Sequence, residues 1–240
     1  MLSEKISFHD KAHKIALLQK CTMRYFTIEE YKAKVEGVQK DKNDSHVYIY
    51  TNNPTQHDSF IAAAKEKGYD ILLMDQIIDN HHMQQLESKL EKVTFKRVDA
   101  DTASQLIEKE EHAESVLSEK ELEKVTGLFK DRLNLDDYRL QFKPLSPSEH
   151  PVLITRPEFM RRMKEMQSMQ GMGGMEMPDT YQVVVNTNHP LIVDKLLKIR
   201  GDEKKDRFVQ YLYDLARLNQ NLLEGSEMTA FINKSLEFIN

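Results

Sequence analysis

The sequence predicts an α/β unit followed by an α+β unit that closes in a helical bundle. Three observations lead there. In the first half, short apolar runs of strand length alternate with segments of helical period. In the second half one helix leads, strands follow, and three helices close it. Glycine and proline are sparse, 8 and 7 in 240 residues, while 40% of residues are hydrophobic and 30% charged, a balance that suits packed helices with solvated outer faces.

Residues 8–19 place Phe8, Ala12, Ile15 and Ala16 at helical spacing and predict a first helix. Thr27 and Glu30 form a capping box that opens a helix to Val35. The apolar run 46–50 predicts a buried strand, stopped by Asn52-Asn53-Pro54. A helix over 55–67 buries Phe60, Ile61 and Ala64 and stops at Gly68, leading directly into a second strand over 70–74. Strand, helix, strand with short connections predicts a parallel βαβ unit with a right-handed crossover. A helix over 76–90 and a strand over 93–98 complete a small three-layer α/β/α subdomain. The acidic, weakly patterned stretch 99–112 reads as an interdomain linker, which divides the chain into 1–112 and 113–240.

Ser118 and Glu121 supply another capping box, opening a helix that turns Leu122, Val125, Leu128, Phe129 and Leu133 inward. Strands follow over 138–145, 151–155 and 181–185, with a methionine-rich segment, 157–177, between the last two. Helices over 190–199, 202–223 and 227–239 finish the unit.

The net charge of −5 and a pI near 6.0 argue against a nucleic-acid platform, and a lone cysteine, Cys21, allows no intramolecular disulfide. No apolar run approaches the ~20 residues of a membrane span. A cytoplasmic protein without nucleic-acid or membrane partners is expected.

Neither phosphate-loop nor dinucleotide glycine pattern occurs, and the loop 51–54 lacks the glycines a pyrophosphate would need. His9 and His13 share a helix face but have no evident third metal ligand. Cys21 has no identifiable base partner. No catalytic, cofactor-binding or metal-binding residues are therefore assigned.

Two features point to interaction instead. Phe208, Tyr211, Leu212, Leu215, Leu218 and Leu222 form an apolar stripe with Asn219 as its polar interruption. The last helix adds Met228, Phe231, Ile232, Leu236 and Ile239, and Phe238 lies off that line. A terminal helix apolar on two sides suits packing between two copies, against an intramolecular hairpin as the plain alternative. Seven of the 12 methionines lie between Met160 and Met177. Phe159, Met160, Met163 and Met166, continuing to Met169, make one side of a helix, while Arg161, Arg162, Lys164 and Glu165 make the other. Methionine repacks readily against varied apolar partners, so this stripe is either an adaptable contact surface or a core helix before a loop.

The order of these pieces resembles the ninety-kilodalton heat-shock chaperone family, nearest its bacterial members. VYIYTNNPTQ (47–56), KGYDILLMDQIID (67–79) and VTFKRVD (93–99) resemble the end of its middle domain. LITRPEFMRRM (153–163) and VVVNTNHPLI (183–192) resemble its carboxy-terminal domain. The resemblance implies a homodimer through the last two helices, unfolded or partly folded client proteins as partners, and client contact through the methionine-rich helix. It also implies that ATP and magnesium act in a domain that matches nothing here. The chain then looks like a non-enzymatic fragment of a stress-response chaperone that assists protein folding, without the acidic tail of eukaryotic relatives. The rival is a small α/β enzyme with a helical oligomerisation domain, which would place a polar pocket near Asn52 and Asp75.

Overall fold

The computed structural model describes residues 17–21, 24–109, 114–136, 138–169 and 181–239, with the side chains of 165–169 and 237–239 left aside. The chain divides into two compact units, Met1–Glu111 and His112–Asn240.

In the first unit, β1 (Leu17–Gln19) pairs antiparallel with β2 (Tyr25–Thr27). Residues 17–19 are thus a strand, where helical spacing predicted a helix; the expected helix upstream of residue 17 lies outside the described residues. Leu18 is buried and its neighbour Leu17 exposed, a period of two that the spacing of Phe8 to Ala16 obscured. Helix α1 (Ile28–Val35) starts at the capping box: Glu30 N–H donates to Thr27 Oγ1 at 3.3 Å, and Thr27 N–H donates to Glu30 Oε2 at 2.8 Å. Strands β3 (His46–Thr51), β4 (Ile71–Leu73) and β5 (Val93–Arg97) form a wholly parallel sheet in the order β4-β3-β5. Every residue of β3 is buried, as a central strand covered on both faces must be. Tyr48, Tyr50, Leu72, Val93 and Phe95 pack with Tyr31 and Val35 of α1 and with Met83 and Leu86 of α3 (Asp79–Lys89). Helix α2 (Asp58–Glu66) buries Phe60, Ile61 and Ala64 and ends at Gly68, whose φ of 78° only glycine adopts without strain.

The acidic stretch after β5 corrects the sequence reading. Asp99 is buried beneath Arg97, whose Nε and Nη2 donate to its two carboxylate oxygens at 2.5 and 2.9 Å. Leu106 and Ile107 are fully buried, and Lys42 N–H donates to the Glu108 carbonyl at 2.7 Å. As far as Ile107 this stretch is core of the first unit and not a linker; composition hid a paired carboxylate.

In the second unit, helix α4 (Glu119–Leu133) buries Val125 and Phe129, with Leu122, Leu128 and Leu133 packed partly buried beside them. Asn134 closes it in the left-handed region, φ 49°. Strands β6 (Leu140–Lys143), β7 (Val152–Thr155) and β8 (Gln182–Asn186) form a mixed sheet with β8 central, parallel to β6 and antiparallel to β7. Helix α5 (Glu158–Met169) follows β7. The helix predicted over 190–199 is instead a π-helical turn, Leu191–Lys195, and a 3-10 turn, Leu196–Lys198. Helices α6 (Asp202–Asn219) and α7 (Gly225–Ile239) end the chain.

Asn186 ties the loops at one end of this sheet. Its Oδ1 accepts from the N–H groups of Leu145 (3.2 Å) and Asn188 (3.0 Å), and its Nδ2 donates to the Ser146 carbonyl at 2.8 Å.

Candidate functional site

Helix α6 has two apolar faces, and the structure separates them. Phe208, Val209, Leu212 and Ala216 are buried in the unit's own core against Val183, Val185 and Ile192. Phe208 and Leu212, read from sequence as part of an intersubunit seam, are core residues of their own chain. Val209 and Ala216 were missed; their positions three before and four after Leu212 were the available signal. The other face carries Leu215, 37% exposed, and the half-buried Tyr211 and Leu218, while Leu222, beyond the helix end, packs on the unit's own core.

Helix α7 adds Ile232 and Leu236, 51% and 56% exposed, with Met228 half-buried. Phe231 faces inward and stacks on Tyr211, ring centroids 5.6 Å apart and planes at 17°. The Ile239 side chain lies outside the described set. Leu215, Ile232 and Leu236 are thus exposed aliphatic side chains on two successive helices.

On the methionine helix one charged side chain, Arg161, departs from expectation. Phe159 is 72% exposed, while Met160 and Met163 are half-buried; Met166 and Met169 lie outside the described side chains. Arg161, expected on a solvated face, is turned in and paired with Glu158, which also accepts from Arg162 Nε at 2.8 Å. Burial by itself would push the Glu158 carboxyl up, but the Arg161 and Arg162 guanidiniums outweigh it and hold the carboxyl below the ordinary glutamate range. The ion pair therefore anchors the helix start, and an aromatic ring points to solvent beside it.

At the carboxyl ends of the parallel strands, where an α/β enzyme would hold ligand, the polar groups are closed in. His57 Nδ1 is 2.8 Å from Thr51 Oγ1, and its Nε2 is 3.6 Å from Asp99 Oδ2. All three residues are buried, so the cluster bonds to itself and presents no open hydroxyl. Asn52 and Asp75 are exposed, and Asp75 accepts from Gln76 Nε2 at 2.7 Å. Among the described residues no group of three or more His, Cys, Asp and Glu is placed to hold a metal, and no helix is long and apolar enough to cross a membrane. Cys21 is half-buried, and burial pushes its thiol up, away from a reactive thiolate.

The sequence matches the Hsp90 protein family over residues 14–239. It is 32% identical to the chaperone protein HtpG of Bacteroides fragilis across all of this chain and 45% of that relative. It is 42% identical to the HtpG chaperone of Porphyromonas gingivalis across 82% of this chain and 29% of that relative. The HtpG chaperone of Bacteroides thetaiotaomicron is 39% identical across 80% of this chain. The chain spans less than half the length of these curated relatives.

Proposed function

The chain belongs to the Hsp90 family, and on that premise we propose that it is the self-associating, client-holding part of a chaperone. In this reading two copies pair through α6 and α7, and unfolded or partly folded polypeptides bind beside Phe159. Nucleotide and magnesium act elsewhere in a longer cytoplasmic protein, and this chain has no enzymatic activity of its own. The first unit corresponds to the end of a middle domain and the second to a dimerisation domain.

The observation that carries the reading is the exposure of Leu215, Ile232 and Leu236 on helices whose opposite face is already packed. Fully burying one such side chain contributes roughly 1.5–3 kcal/mol. These three are about half exposed, and a twofold-related seam counts each twice, so the apolar contribution is several kcal/mol. Phe159 supports the client surface, because an aromatic ring held in solvent by a neighbouring ion pair can be covered without reorganising its own unit.

Sedimentation equilibrium is expected to find a dimer, and Leu236→Asp to give monomers because the seam cannot solvate the charge. Phe159→Ser is expected to weaken binding of an unfolded apolar polypeptide while the dimer and its stability hold. A monomeric parent at high concentration refutes the seam. A Phe159→Ser chain that unfolds refutes the client surface.

A further inference from the structure

Helix α4 carries an interior glycine that its own unit does not call for. Gly127 sits near the middle of Glu119–Leu133, where glycine is among the least favourable of residues. A Cβ added to it would meet no heavy atom within 4 Å among the described residues, so close packing inside the protomer does not require it. The helix buries Val125 and Phe129, and on another side Arg132 Nε donates to Gln210 of α6 at 3.1 Å. Gly127 lies away from both, in an open groove lined by Glu119, Leu122, Glu123, Thr126, Gly127 and Lys130.

Charge along this face is divided by position. Glu119 and Glu123 occupy its amino-terminal half and Lys130 its carboxyl-terminal half, all exposed, with Thr126 and Gly127 between them. An antiparallel copy of the same helix, related by a twofold axis between positions 126 and 127, is complementary to it. Glu123 of each copy meets Lys130 of the other, Thr126 crosses Gly127, and Glu119 reaches Asn134. On the adjoining flank the exposed Lys124 and Asp131 fall within two residues of the same match, roughly 3 Å along the axis. A parallel pairing would set Glu123 against Glu123 and Lys130 against Lys130, so the charges select the antiparallel one. The missing Cβ at the crossing lets the two backbones approach.

We propose that this face of α4 is a second self-association surface, on which α4 of another copy of this chain lies antiparallel across Gly127. It is separate from the seam on α6 and α7 and goes beyond the function proposed above: protomers paired through that seam are joined into larger assemblies through α4. A crossing over roughly 18 Å of helix buries less than the ~1,200 Å² of a stable pair. The contact is therefore weak between single protomers and gains strength when the seam supplies a second attachment.

The test is sedimentation equilibrium of the whole chain at rising concentration and low salt, where charge pairs act most strongly. The parent's mean mass is expected to climb past that of a dimer. Glu123→Lys and Lys130→Glu each set like charges together at two symmetric places, and each is expected to weaken this step about tenfold or more. An equimolar mixture of the two variants is expected to recover it, because their faces complement one another, and the double variant complements itself. Gly127→Gln puts a long side chain at the crossing and is expected to block the step without lowering the urea midpoint, glutamine being the better helix former. If Gly127→Gln fails to fold, the charge variants, all at exposed positions, decide the matter. A parent mass that stops at a dimer, unchanged in every α4 variant, overturns the proposal and leaves the proposed function standing. Charge reversals without effect, or a mixture no better than its components, also overturn it. A dimer kept in Leu236→Asp and lost in Gly127→Gln supports the α4 surface and removes the seam on α6 and α7. A parent that stays monomeric removes both.

Discussion

Replacing Tyr48 by Phe is expected to stabilise the first unit, although it deletes a polar atom from a well-packed core. Tyr48 is fully buried and packs edge-on against Tyr31 and Phe95, centroids 4.9 and 5.3 Å apart and planes at 82° and 90°. Its hydroxyl has no hydrogen-bond partner among the described residues. A buried hydroxyl left unpaired costs about 1–3 kcal/mol, whereas the ring contacts survive the substitution intact. The net gain is therefore about 1 kcal/mol, and for a unit of this size the midpoint should rise by about 5 °C. Thermal unfolding at neutral pH, followed by circular dichroism because the chain has no tryptophan, measures the midpoint, and urea unfolding measures the free energy. The alkaline limb gives a second reading. Burial pushes the Tyr48 phenol up to about 12, above the ordinary value near 10 that the unfolded chain keeps. A raised acid pKa means that the folded state holds a proton the unfolded state has lost. Stability is then full below about pH 10 and declines as pH rises toward 12, and the Phe variant should decline less. A loss of 1 kcal/mol or more at neutral pH would show that the hydroxyl is satisfied, and the reasoning would fail.

His46 is buried at the start of β3 with neither ring nitrogen hydrogen-bonded among the described residues, and burial, helped by Lys32 and Lys40, lowers its pKa. The unfolded chain then binds more protons, so stability is complete above about pH 6.5 and is lost as pH falls below it. His46→Phe should flatten that acid limb in urea midpoints taken between pH 7 and 5. Asn186→Ala removes an acceptor for two backbone N–H groups and a donor to a carbonyl, and should cost the second unit about 2–4 kcal/mol by chemical unfolding. A cost below 1 kcal/mol would mean that the loops at 145 and 188 hold without it.

The parallel sheet was legible because its strands are short apolar runs bounded by strong punctuation, Pro54 and Gly68 above all. The helix starts at Thr27 and Ser118 were legible for a similar local reason: each capping residue finds its glutamate three positions on. What depended on partners distant in sequence was not legible. Leu18 is a strand residue because Phe26 lies opposite it, and Asp99 is core because Arg97 covers it. On the interaction surfaces the periodicity found the right helices but could not say which apolar face of α6 its own sheet would take. Phe208 and Leu212 went inward and Leu215 stayed out, a choice made by Val183, Val185 and Ile192. On α5 the charged side was read as the solvated one, yet Glu158 and Arg161 neutralise each other and turn in while Phe159 turns out. Local charge predicts exposure only when the charges are not already paired.

The antiparallel pairing of Thr155 with Gln182 frees the sequence between them from the sheet's demands. Register there is set by β8 against its two neighbours, β6 and β7, and closing a longer or shorter loop across a fixed gap changes free energy by only about 0.6 kcal/mol per doubling of length. The length of that connection can thus change at little expense to the sheet, while the Glu158–Arg161 pair and the half-buried Met160 and Met163 still constrain the start of α5. The same property makes the position a graft site: a two-residue Asn-Gly turn should close the hairpin in place of the native segment, and an unrelated binding helix should be accepted there.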